Sequence, residues 1–109
     1  MKNKKTIREH FRKVCMQRDS FRCVICLCIA PKNTKPEDYF DVHHITDRHE
    51  MPNGGYILEN GITLCPDCHS KAENYHALGK AIPGYSSEEL YKIIGSSKEK
   101  AIKVASEGL

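Results

Sequence analysis

Apolar and polar positions alternate along the chain in short blocks, and the spacing within each block predicts a different element. The first block predicts a helix over residues 6–18, with a capping box that begins at Thr6. Its apolar positions recur at helical spacing at Ile7, Phe11 and Val14. Cys15 lies on the same side of the predicted helix, so we expect it in the core rather than at a metal.

The centre of the chain predicts two strands and a helix around a long loop. In order, the segments are a polar loop over 31–38, a strand over 39–46, a loop over 47–60, a strand over 61–64 and a helix over 66–77. Loops longer than about a dozen residues inside small domains are usually functional. Loop 47–60 is therefore a candidate part of a site.

The remaining sequence predicts a helical extension over about 84–106. A cap at Ser86 precedes apolar positions at helical spacing, Gly95 interrupts the pattern, and a lysine-rich amphipathic segment runs to about Ala105. Helices that flank a pair of short strands indicate the α+β class, and 109 residues predict one domain over 1–109.

The composition predicts that the fold is stabilised by a cross-link or a metal, and it indicates the cellular compartment. With 39% hydrophobic residues, 7% aromatic residues and no tryptophan, the core is modest, and small domains of this kind are often held by disulfides or a metal. The basic start leads into no apolar segment, and no apolar run approaches the roughly 20 residues that span a bilayer. We expect a cytoplasmic protein without a membrane partner, in which paired cysteines bind metal more often than they form disulfides.

Two cysteine pairs carry the strongest compositional signal. Cys23 and Cys26 are separated by two residues, as are Cys65 and Cys68, and a two-residue spacer lets one turn present two thiolates to the same ion. We therefore predict a structural zinc site of four thiolates. Cys28 leaves an alternative, since it can take the place of Cys26 in the first pair or lie nearby as a free thiol.

Basic charge is concentrated at the N-terminus. Residues 1–22 contain eight lysines and arginines against two acidic residues, whereas the rest of the chain is net negative within an overall charge of +3. Lys5, Arg8 and Arg12 should lie beside the apolar stripe of the first helix, free to contact phosphates, and Arg48 is a weaker candidate in the long loop. The asymmetry indicates a nucleic acid partner or, alternatively, a solvated helix face.

Polar residues of a different kind lie between and just after the cysteine pairs. His43 and His44 close the first predicted strand, Asn60 precedes the second strand, and His69 follows Cys68 directly. With the cysteine pair and the Gly-Gly loop, this order resembles the zinc-bearing branch of the HNH endonuclease family over about residues 18–75. The resemblance implies a small ββα-metal core, similar to a treble clef, with the zinc site beside it.

The resemblance also implies roles for individual residues. His44 matches the general base, His43 and His69 match ligands of a catalytic cation, and Asn60 matches a residue that either binds metal or fixes the loop. Glu73 lies one helical turn after His69 and is a weaker candidate ligand. Asp41, on the same strand face as His43, is a candidate to orient the His43 imidazole.

The function implied is that of a metal-dependent endonuclease acting on double-stranded DNA. His44 would activate water, and one divalent cation (Mg²⁺, Mn²⁺, Ni²⁺ or Zn²⁺) would stabilise the leaving group. Small stand-alone proteins of this type resemble those of phages and bacteria. We expect a monomer or a homodimer whose sequence preference is low unless a protein partner supplies specificity. The alternatives are a zinc-stabilised nucleic-acid-binding module without catalysis and a zinc-mediated protein-interaction domain.

Overall fold

The computed structural model describes residues 3–107, so the first two and last two residues of the predicted domain, Lys2 among them, lie outside it. Helix α1 spans Lys4–Arg18. The side chain of Asn3 accepts a hydrogen bond from the Thr6 amide at 2.8 Å and caps the helix. The helix therefore begins two residues before Thr6, contrary to the predicted capping box.

The strands β1 (Asp41–His44) and β2 (Gly61–Leu64) form an antiparallel pair in which His44 lies opposite Gly61. Strand β2 coincides with its prediction, whereas β1 is shorter than the predicted 39–46. The difference arises because a short helix, α2, occupies Pro36–Tyr39 within and just after the predicted loop 31–38. Proline at its first position and two acidic residues in its first turn favour a helix start there.

Loop 47–60 consists of three short 3-10 turns, over Arg48–Glu50, Pro52–Gly55 and Leu58–Asn60. Asn53 and Gly54 adopt positive φ in the middle turn, which folds the tip back on itself. Helix α3 spans Pro66–Leu78 and ends at Gly79, whose φ of 71° is left-handed.

The C-terminal extension forms two helices, α4 (Ser87–Ile93) and α5 (Lys98–Ser106), as predicted. Both are capped by serine side chains, and both bury one face against the rest of the chain. Their buried residues complete the core around the strands with Leu90, Tyr91, Ala101 and Ala105. Within residues 3–107 no helix has the length and apolar character to cross a bilayer.

An ion pair at the end of α1 fastens this helix to β2. The Arg18 guanidinium makes a bidentate contact with the Asp19 carboxylate and donates to the carbonyls of Leu58 and Gly61 at 2.8 and 2.6 Å. Asp19 in turn accepts from the Thr63 amide at 3.0 Å. Arg18, one of the basic residues that the sequence concentrates near the N-terminus, is thus a structural residue.

Candidate functional site

The two cysteine pairs meet at one point beside the strands. The sulfur atoms of Cys23, Cys26, Cys65 and Cys68 all lie within 4.8 Å of one another. The Cys26 and Cys65 sulfurs are 3.7 Å apart, close to the edge of about 3.8 Å that a tetrahedron with Zn–S bonds of ~2.3 Å has. Cys28 is not part of the four-sulfur cluster, and all six cysteines are free thiols. The four sulfurs fit a tetrahedral structural metal ion.

Local backbone geometry presents each pair. Residues 23–28 form a tight turn in which the Cys23 amide donates to the Cys28 carbonyl and Leu27 takes a positive φ of 63°. Cys65 caps α3, where its sulfur accepts from the Cys68 amide at 3.5 Å. The backbone N–H of Cys28 stabilises the Cys26 thiolate and lowers the pKa of Cys26 to about 7.

A second group of donor atoms lies where β1 faces α3. The Glu73 carboxylate oxygen is 3.1 Å from His43 Nδ1 and 3.2 Å from His69 Nε2, and these three residues lie close enough to share an ion. Burial lowers the pKa of His43 to about 4, so the imidazole is neutral, the form that binds metal. The structure thus groups Glu73 with the two predicted ligands.

Asp41 has a different partner from the one expected. Its carboxylate lies 3.3 Å from His69 Nδ1 and 3.5 Å from the Arg12 guanidinium, whereas His43 contacts Glu73 instead. The prediction that Asp41 orients His43 is therefore wrong. Asp41 holds the His69 ring, whose other nitrogen is left to face Glu73.

His44 points away from this group, as strand alternation predicts, yet lines the same cleft. Its ring lies 4.7 Å from the Phe11 ring and 4.8 Å from the Tyr56 ring, measured between centroids. Its Nε2 is enclosed and has no hydrogen-bond partner within residues 3–107. Burial, with Arg48 adding to it, lowers the pKa of His44 to about 4.

The cleft has a volume of about 420 Å³, and its walls combine the histidines with cationic side chains. Arg8 and Arg48 are exposed at its edge, whereas Lys5 is exposed on α1 outside the lining. Arg12 also lines the cleft, but its guanidinium donates to the Glu37 and Phe40 carbonyls at 2.9 and 3.2 Å. These contacts hold the Arg12 guanidinium against the protein, so it is less available to phosphates than the sequence predicts.

Asn60 is completely buried, and its amide group is fully used by protein contacts. Its oxygen accepts from the Thr46 amide and the Tyr91 hydroxyl, while its nitrogen donates to the carbonyls of Thr46 and Gly55. Of the two roles that the resemblance implies for Asn60, this placement favours fixing the loop.

His76 was not predicted as a site residue, yet it lines the cleft and supports both histidines of β1. Its ring stacks on His43 with centroids 5.0 Å apart, and Nε2 donates to the His44 carbonyl at 2.9 Å. The sequence does contain an indication of this role, because His76 lies seven residues after His69, two helical turns along the same face of α3.

Comparison with known proteins agrees with this geometry. The family model described as HNH endonuclease matches residues 23–75, from the first cysteine of the four-sulfur cluster to two residues beyond Glu73. A search of the curated proteins and one of the solved structures found no match. The match confirms the resemblance and the ββα-metal fold expected from it. Residues 23–75, just under half of the chain, are therefore similar to the HNH endonuclease family.

Proposed function

We propose that the protein is a metal-dependent endonuclease that hydrolyses phosphodiester bonds in double-stranded DNA. One observation carries the proposal: the His44 side chain lines the same cleft as His69 and Glu73. A proton acceptor and a set of cation ligands thus face one space. Exposed arginines at the edge of that space suit a polyanionic substrate.

The donor set supports a divalent cation. His43, His69 and Glu73 would hold it through two imidazole nitrogens and a carboxylate oxygen, a mixture that suits Mn²⁺, Ni²⁺, Zn²⁺ or, more weakly, Mg²⁺. When bound, such an ion supplies Lewis-acid stabilisation of the negative charge that develops on the scissile phosphate and its leaving oxygen. Asp41 keeps the His69 ring in the orientation that this arrangement needs.

The protein's own residues account for activation of the water. A water molecule in the cleft gives its proton to the His44 imidazole while its oxygen attacks phosphorus. The bond from phosphorus to the 3′ oxygen breaks, and that oxygen leaves and takes up a proton from solvent. Phe11 and Tyr56 enclose the imidazole on two sides and hold it in one orientation, and Arg8 and Arg48 position the phosphates.

A plasmid assay tests the proposal. Purified protein is incubated with supercoiled plasmid in Mg²⁺, Mn²⁺, Ni²⁺ or EDTA, beside His44→Ala and a matched control, His10→Ala. His10 is exposed on α1 and is absent from the cleft lining. We expect metal-dependent nicking that falls by about 10²-fold or more in His44→Ala and is unchanged in His10→Ala, with equal zinc content in all three.

Two results would contradict the proposal. Nicking that persists in His44→Ala at the wild-type rate would remove His44 from the chemistry. A wild-type protein that binds DNA but cuts it under none of these metals would favour the non-catalytic nucleic-acid-binding module.

A further inference from the structure

The C-terminal extension lies outside residues 23–75, yet it reaches the residues beside the proposed base. We propose that Tyr91 of α4 is a positioning residue, whose hydroxyl fixes loop 47–60 and through it the His44 imidazole. The effect of Tyr91 on catalysis rests on the proposed function, whereas its structural role in fixing the loop does not.

Tyr91 lies at the centre of a buried polar network. Its hydroxyl donates to Asn60 Oδ1 at 2.7 Å, so the Thr46 hydroxyl, also 2.7 Å away, donates to it. Tyr91, Thr46 and Asn60 are 3%, 5% and 0% exposed. At this depth each lost partner leaves a polar atom without water to replace it. The hydroxyl therefore fixes the relative positions of both ends of the loop, Thr46 and Asn60.

The network continues to the His44 ring. The Asn60 side chain donates to the Gly55 carbonyl at 3.2 Å, and the next residue, Tyr56, forms one side of the His44 enclosure. The Asn60 carbonyl also accepts from the Ile45 amide at 2.9 Å, directly after His44. A shift of Asn60 therefore moves both the strand end that carries His44 and the ring that packs against it.

Three further contacts from the extension hold the same loop. Ser87 Oγ donates to the Ile45 carbonyl at 3.2 Å, and Ser96 Oγ donates to the Glu59 carbonyl at 2.9 Å. At the tip, the Asn53 side chain donates to the Ala105 carbonyl of α5 at 2.9 Å. The extension thus bonds to the chain just before the loop, to its tip and near its end, so it supports the loop along its length as well as filling the core.

Hydrogen exchange and kinetics on the full chain test the proposal together. The variants are Tyr91→Phe, which removes the hydroxyl alone, and Leu90→Val, which weakens the adjacent, 1% exposed core position without touching the network. All measurements are made on zinc-loaded protein well below the thermal transition of each variant. The Thr46 amide, which donates to Asn60 Oδ1 at 3.0 Å, reports the network directly.

In Tyr91→Phe we expect the Thr46 amide to exchange about tenfold faster while amides of α1 keep their rates. In the plasmid assay we expect kcat to fall about tenfold or more with KM for DNA unchanged, because the base is misplaced but the phosphate contacts remain. Leu90→Val should retain the wild-type kcat and show no selective change at Thr46.

A Thr46 amide whose exchange is unchanged in Tyr91→Phe would overturn the proposal, as would equal effects of the two variants on exchange and kcat. Failure of the proposed function is distinguishable from both. If wild-type protein does not nick DNA, the nuclease assignment fails, while the exchange measurement still decides whether Tyr91 braces the loop.

Discussion

Replacing Gly61 with alanine tests how tightly α1 is packed against the strand pair. Gly61 is the β2 partner of His44, and its φ of −119° is one that any residue adopts. A Cβ built there would lie 2.5 Å from the Cys15 sulfur and 2.7 Å from two carbon atoms of the Phe11 ring. Ordinary contacts are longer by about 1 Å, so Gly61→Ala forces a displacement of that order.

The displaced groups have no free space to enter. Phe11 is 2% exposed and Cys15 is 0% exposed. Overpacking of this kind costs about 1–3 kcal/mol, which lowers Tm by about 4–12 °C for a domain near 100 residues. Since the Phe11 ring lies 4.7 Å from the His44 ring, we also expect a lower nicking rate at temperatures where the variant is folded.

A double-mutant cycle in urea identifies the cause. The free energy of unfolding is measured for Gly61→Ala, Cys15→Ala and the double variant, all loaded with zinc. Removal of the Cys15 sulfur relieves the closest contact, so the double variant should be more stable than the sum of the single effects predicts. Additive effects, or a Gly61→Ala protein as stable as wild type, would refute the packing argument.

Three further predictions concern stability. Arg18→Met should lower the free energy of unfolding, measured in urea, by about 3 kcal/mol, because Asp19 and two carbonyls lose their partner. Adding Asp19→Asn should restore part of this loss, and an unchanged stability of Arg18→Met would contradict the structural role of Arg18. Stripping the metal from the cysteine cluster with a chelator should unfold the chain in far-UV circular dichroism, since structural zinc contributes about 10 kcal/mol or more; zinc but not magnesium should reverse it. Burial holds the pKa of Tyr91 above its usual 10.0, so the folded protein retains a proton that the unfolded chain loses. Stability should therefore fall as pH rises above 10.0, and less steeply in Tyr91→Phe; equal slopes would contradict this.

The local features of the site could be predicted because they depend on residues that lie only a few positions apart in the sequence. The two-residue spacer of each cysteine pair matches the demands of a tetrahedral ion, and strand alternation sends His43 and His44 to different sides. Strand β2 and the start of α4 likewise follow from patterns within a few residues. These expectations needed no knowledge of distant partners.

The contacts that the sequence did not predict join residues far apart along the chain. Arg12 contacts a carbonyl 28 residues away, and Tyr91 contacts Asn60 across 31 residues. Backbone carbonyls carry no sequence signal, since every residue has one. From the sequence alone, an arginine that bonds to the protein's own carbonyls therefore cannot be distinguished from one that is free to contact a phosphate.

That internal use of arginine has a consequence for binding thermodynamics. Because the Arg12 guanidinium donates to two protein carbonyls, three of the four cations predicted to contact DNA remain: Lys5, Arg8 and Arg48. Each phosphate neutralised releases close to one condensed counterion, so the logarithm of affinity should fall with the logarithm of salt concentration with a slope of roughly −3. A fourfold rise in salt concentration would then weaken DNA binding roughly 60-fold, far less than for a surface that makes about 6–10 phosphate contacts.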